Sequence, residues 1–242
     1  TTGAGDFAIT VGSANDVITL GSVSGDHLSV FDSGGNNTIS AGDAVHFEIT
    51  TGTGADTITL GDDIASSGTY TAGVDGTTNH VIAGDGENKI RVGAGSYEIV
   101  TDASADVINV VGSTSADVLT IRAGDGNNTI TAGSDTLSAG ADYWITVGTG
   151  DDTITLSSES GSNVNIYDGG GSTNTIRAYA ADHFEITTGA GADTITVGES
   201  LIKYTTSGVL SQASHINADE GANRITTGAG DFAITVGSAN DV

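Results

Sequence analysis

The chain has no cysteine, no proline and no methionine, few aromatic residues, and six basic side chains against 31 acidic ones. Each shortage excludes something. Without cysteine there is no disulfide framework and no thiolate zinc site. A net charge of −25 argues against nucleic acid and against anionic lipid surfaces, both of which call for Lys and Arg. No apolar run approaches the ~18 residues of a membrane span, so no membrane insertion is expected. No charged-then-apolar leader precedes Thr1, and this stretch is read as carrying no signal peptide. Catalytic motifs are missing too: there is no His-Glu-x-x-His zinc motif, no P-loop and no nucleophile elbow. The five histidines are His27, His46, His80, His183 and His215. His46 and His183 share one repeated context, HFEIT, and His80 and His215 share another. Recurring positions suit a structural role better than a unique active site, so no catalytic residue and no enzyme are expected.

What is present is repetition. Glycine accounts for 37 of 242 residues, with Thr, Ala, Ser and Asp also abundant. Thr1–Val17, TTGAGDFAITVGSANDV, recurs letter for letter as Thr226–Val242, an offset of 225 residues. The expectation is one continuous solenoid over residues 1–242, cut from a tandem array with a 225-residue unit. Such a rod buries each repeat mainly against its neighbours along the axis.

A shorter period lies beneath the long one. Thr51–Thr59 reads TGTGADTIT, Val147–Thr155 reads VGTGDDTIT, and Thr188–Thr196 reads TGAGADTIT. Ala83–Arg91 (AGDGENKIR) and Ala123–Thr131 (AGDGNNTIT) carry Asn where the others carry Asp. Each piece has a Gly-rich half, where positive φ is cheap, and a short β half whose Ile points inward between two outward neighbours. The Asn-x-Ile motif places Ile39, Ile90, Ile130, Ile176 and Ile225, which divides the long unit into five super-repeats of about 45 residues. Four strand centres are expected in each, for instance Ile39, Ile49, Ile58 and Ile82, or Ile176, Ile186, Ile195 and Ile216. The extra length falls at Gly61–Asn79 and Gly198–Ser214, which puts both insertions on one side of the rod. The fold class read from this is all-β: a parallel β-roll or β-solenoid with about two short strands per coil and about ten coils per unit. At roughly 4.8 Å per coil, one unit would extend on the order of 50 Å. Five units of four strands would also suit a five-bladed propeller, but Gly turns every nine residues favour the roll.

These nonapeptides resemble the RTX (repeats-in-toxin) family, whose pattern is GGxGxDxUx with U a large apolar residue. The resemblance implies that two nonapeptides make one coil and that the first six residues of each form a calcium-binding turn. Carried onto matching positions, the implied ligands are Asp56, Asp152 and Asp193, with carbonyls at Gly52, Gly54, Gly148, Gly150, Gly189 and Gly191. Asp16, Asp106 and Asp117 match less fully, and Asp85 and Asp125 sit between glycines. Calcium takes six to eight hard oxygens, which such turns can supply. The competing reading is that these Asp and Asn side chains merely satisfy their own turns.

The functional expectation is a calcium-stabilised extracellular structural protein: a fibre, a surface layer or an adhesin stalk. Its partner would be itself, by stacking along the axis, with cell-surface polysaccharide as a further candidate. The resemblance implies a Gram-negative cell surface reached by type I secretion. One alternative is the calcium-binding carrier segment of a secreted toxin or hydrolase. Another is an ice-binding β-solenoid, because Thr57, Thr59, Thr153, Thr155, Thr194 and Thr196 would line up outward. Lys89, Arg91, Arg177, Arg224 and Glu185 are expected to interrupt that face.

Overall fold

The structure is a computed structural model describing residues 6–21, 23–63, 78–112, 117–133, 141–157, 162–200 and 213–242, with the side chains of 23–26 also left out. Among the described residues every regular element is a β-strand. Successive strands alternate between two parallel sheets. Eleven form the first sheet, from Phe7–Val11 at one end to Phe232–Val236 at the other; ten form the second, from Val17–Leu20 to Arg224–Thr227. One strand in each sheet makes a coil of about 21 residues. The outermost strands stand at opposite poles, which is the roll and excludes the propeller.

The core is a set of aliphatic columns. In the second sheet Ile18, Ile39, Ile58, Ile90, Ile108, Ile130, Ile154, Ile176 and Ile195 stack in register, all buried. The first sheet answers with Val30, Ile49, Val81, Ile99, Ile121, Ile145, Ile166, Ile186 and Ile216. Alternation along each strand makes this automatic: an inward β-branched residue sits between outward polar ones.

One expected strand centre is wrong by a residue. Ile82 is 43% exposed and Val81 is buried, because Val81 rather than Ile82 pairs with Ile49 and Ile99. Register is pinned by buried Asn79, whose Oδ1 accepts the Phe47 N–H at 2.7 Å. Ser214 does the same for the Phe184 N–H in the equivalent coil. A one-residue slip would expel the whole inward set.

The two edges of the roll differ. Links from the first sheet to the second are short, fully described, and hold the Gly-rich turns. Links from the second sheet to the first contain every undescribed internal segment. Most of the two expected insertions, with Tyr70, Leu201 and Tyr204, lies outside the described residues.

Candidate functional site

The turns entering the second sheet bring together one residue from every coil, just before the inward Ile. In chain order they are Asp16, Asn37, Asp56, Asn88, Asp106, Asn128, Asp152, Asn174, Asp193, Asn223 and Asp241. Aspartate and asparagine alternate without a break. Each rung's backbone N–H donates to the side-chain Oδ1 of the rung above, at 2.7 to 3.1 Å. From Asn37 through Asp193 the rungs are buried.

The second side-chain atom separates the two residue types. Asn88 Nδ2 donates to the carbonyls of Gly84 and Gly86 at 2.8 and 2.9 Å, closing its own turn. Asn128 repeats this with Gly124 and Gly126, and Asn223 with Asp219 and Gly221. Aspartate has no such donor. With Oδ1 engaged in the same way, Oδ2 of Asp56, Asp106, Asp152 and Asp193 is buried with no hydrogen-bond partner. Buried polar atoms are seldom left so, and an oxygen in this state wants a proton or a cation. Burial, ahead of other causes, holds the Asp106 and Asp152 carboxyls above the ordinary carboxylate range. The Thr101 hydroxyl lies near enough to Asp106 to favour its charge, although it too makes no ordinary hydrogen bond.

Glycine allows the turns to stack. Gly54 has φ +139°, and a Cβ there would run into the Gly35 carbonyl of the coil below. A Cβ on Gly148 would lie 2.8 Å from the Asp125 backbone nitrogen, and one on Gly189 2.8 Å from the Gly169 oxygen. Gly52, Gly150 and Gly191 are similarly crowded by neighbouring turns.

The remaining expected ligands fall elsewhere. Asp16 is a half-buried rung near one pole. Asp85 and Asp125 are exposed turn tips. Asp125 Oδ1 accepts the Thr149 N–H and hydroxyl at 2.7 and 2.8 Å, which holds its carboxyl below the usual range. Asp117 is not on the ladder: it precedes the strand Val118–Ala123 on the opposite edge, where its carbonyl accepts the Asp142 N–H. On that edge the described turns at Gly42–Asp43 and Gly61–Asp62 also stack, the Asp62 N–H donating to Asp43 Oδ1 at 3.0 Å and the Ala94 N–H to Asp62 Oδ1 at 2.8 Å, but these aspartates are not buried. Among the described residues, no three acidic or histidine side chains converge tightly enough to hold a metal by themselves, so any ion here must also draw on backbone or hydroxyl oxygens.

Sequence reasoning missed Asp32 and Asp168, both buried with Oδ2 unpartnered. The signal was the Asp-x-Gly-Gly sequence of Asp32–Gly35 and the Asp-Gly-Gly-Gly sequence of Asp168–Gly171, at equivalent places in two super-repeats. Burial first, then repulsion from Asp152 and Asp193, pushes the Asp168 carboxyl up to about 7 against the opposing Gly170 N–H. Asp32 is raised by burial, with Asp16 and Asp56 adding repulsion.

The outer faces also differ. The second sheet shows Thr57, Thr59, Thr153, Thr155, Thr194 and Thr196 outward, interrupted by Lys89, Arg91, Arg177 and Arg224. Glu185 does not interrupt it, because its strand belongs to the first sheet. The first sheet's outer face carries His27, His46 and His80 on successive coils, with ring centroids 5.5 and 6.4 Å apart. Burial, then the two neighbouring histidines, lowers the pKa of His46. Farther along that face, Trp144 and Tyr167 stand exposed beside Asn165 and Glu185 in an open groove of about 280 Å³. No family model matches the chain, and no curated protein or solved structure does either.

Proposed function

We propose that the chain is a calcium-stabilised structural segment of an extracellular fibre, surface layer or adhesin stalk. The observation that carries this is the set of orphaned Oδ2 atoms on the aspartate rungs. They are hard oxygens, buried, and they sit in turns whose asparagine counterparts need no ion. Calcium is the metal such donors suit, since it accepts carboxylate and carbonyl oxygens in flexible number. Asp56, Asp106, Asp152 and Asp193 would hold it, with carbonyls of Gly52, Gly54, Gly148, Gly150, Gly189 and Gly191 nearby in three of the four turns. When bound, it would supply positive charge inside a chain of net charge −25. By binding only the folded form it would add its binding free energy to stability. The resemblance to RTX repeats points the same way and is the ground for a Gram-negative surface and type I secretion.

Self-association along the axis is the partner this fold favours. Phe7–Val11 pairs with Leu28–Asp32. The strand Phe232–Val236 has the same sequence as Phe7–Val11, so a further repeat would pair with it as Leu28–Asp32 pairs with Phe7–Val11. Trp144 and Tyr167 offer a lateral surface for polysaccharide, since exposed aromatic faces flanked by Asn and Glu suit sugar rings and hydroxyls. The carrier-segment alternative shares the calcium chemistry and differs in having no need to polymerise. An ice-binding face has Thr129, Thr153, Thr175 and Thr194 on consecutive coils in its favour and Arg177 beside them against it.

Negative-stain microscopy of the protein in millimolar calcium, before and after EGTA, tests the proposal. Filaments or sheets that form with calcium and dissolve with chelator are expected. Particles that stay dispersed in calcium would favour the carrier segment, and assemblies indifferent to EGTA would defeat the calcium reading.

A further inference from the structure

Two places on the ladder hold more buried, unpartnered oxygen than a single rung. Tyr167 pairs with Thr187, so Asp168 and Thr188 lie side by side on neighbouring coils, and Asp193 follows Thr188 through the same turn. Asp168 Oδ2, Thr188 Oγ1 and Asp193 Oδ2 are all buried without a hydrogen-bond partner. Asp168 Oδ1 is already engaged by the Gly170 N–H at 2.8 Å and by Asn174 Nδ2 at 3.3 Å. Asp152 Oδ2, on the coil preceding Asp168, is orphaned as well.

The same constellation recurs in the first half of the chain. Phe31 pairs with Thr50, which sets Asp32 beside Thr51, with Asp56 following. Asp32 Oδ2, Thr51 Oγ1 and Asp56 Oδ2 are buried and unpartnered, while Asp32 Oδ1 accepts the Gly34 N–H at 2.9 Å. The intervening Asp106 rung provides a contrast. It has its threonine, Thr101, but the residues that pair alongside that column are Ala83, Ala123 and their like rather than aspartate. Five of the six basic side chains, Lys89, Arg91, Arg122, Arg177 and Arg224, are exposed on outer faces, so none of these five neutralises the interior.

We infer that the places between Asp168 and Asp193 beside Thr188, and between Asp32 and Asp56 beside Thr51, are each a built site for one hard divalent cation, bound more tightly than any ion at the lone aspartate rungs. Two carboxylates on adjacent coils, a hydroxyl and turn carbonyls make an all-oxygen set. Nitrogen and sulfur donors are absent from it, which selects against zinc and copper. Burial leaves little room for retained water, which favours calcium over magnesium. Because each ion would tie one coil to the next, the two sites would act as clamps six coils, or three super-repeats, apart. This inference rests on the calcium reading above but adds residues that the nonapeptide pattern does not contain.

The test counts bound calcium by equilibrium dialysis of the whole chain, wild type against the double variant Asp32→Asn/Asp168→Asn. The expected result is two fewer tightly bound ions in the variant, with weaker sites retained. An unchanged count, with calcium still bound, overturns this inference and leaves the broader reading standing. A wild type that binds no calcium removes both. An unchanged count with greater stability in chelator would show that these carboxyls carry protons instead, and also overturns it. Should the double variant not fold by circular dichroism, Thr51→Val/Thr188→Val serves in its place. That pair is expected to weaken the two tight sites by about tenfold, and unaltered affinity would contradict the assignment.

Discussion

At the scale of single residues, one atom distinguishes two kinds of coil. Asparagine brings an NH2 group to its turn and aspartate brings a second oxygen. Exchanging them therefore exchanges a self-closed turn for one whose buried second oxygen has no hydrogen-bond partner. Replacing Asp56, Asp106, Asp152 and Asp193 together by Asn is expected to raise the melting temperature in EGTA, since each orphaned buried group costs about 1–3 kcal/mol. The converse change, Asn88→Asp, is expected to lower it in EGTA and to be partly rescued by calcium. Thermal melts with and without calcium check both, and a fourfold variant less stable than wild type in chelator would contradict the ladder's logic. Protonation should substitute for metal. The Asp168 carboxyl is pushed up to about 7 from an ordinary 3.8, so the folded form holds its proton more tightly than the unfolded one. That contribution is complete below about pH 4 and disappears as pH rises through about 7, each unit of displacement being worth about 1.4 kcal/mol. Metal-free protein should accordingly melt at a lower temperature at pH 8 than at pH 5, and Asp168→Asn should flatten the slope. A melting temperature that climbs with pH in the absence of metal would contradict this.

At the scale of the element, strand registry decides which side chains matter. Val81→Ala should cost about 1–3 kcal/mol through the hole it leaves between Ile49 and Ile99. Ile82→Ala, one residue on, should lie within about 0.5 kcal/mol of wild type; denaturant melts of the pair check the register directly. The sequence alone supports the reverse choice, because Ile is the better strand centre and nothing local says that Asn79 will anchor the preceding turn. Elsewhere the pattern was legible: the inward Ile of TIT segments and the parallel two-strand coil follow from alternation and from Gly turns. The super-repeat of about 45 residues was legible as a number and not as a cause. Its cause is visible in the structure: two coils are needed to pass once through Asp and once through Asn. Asp32, Asp168, Thr51 and Thr188 escaped notice because their chemistry arises between coils some 20 residues apart. No local motif marks such a meeting. The Thr face was legible too, but Glu185 could not be assigned to the other sheet until its strand was placed.

At the scale of the whole molecule, a narrow aliphatic core runs beside a column of buried carboxylates. The residues that give the rod its length also load it with charge of one sign, and self-repulsion favours the expanded chain. On the proposed calcium reading, cations that neutralise the aspartate rungs would reverse that preference and drive folding where calcium is plentiful. The strands Phe7–Val11 and Phe232–Val236 have the same sequence 225 residues apart, so successive repeats stacked along the axis would meet with the same strand pairing. The central claim is that this fold depends on divalent cations inside its Gly–Asx turns. Far-ultraviolet circular dichroism of the whole chain at neutral pH, followed through a thermal melt in EGTA and again in millimolar calcium, tests it most directly. The account predicts a weak β signal or an early melt in chelator and a cooperative melt many degrees higher with calcium; superimposable melts in the two conditions would contradict it.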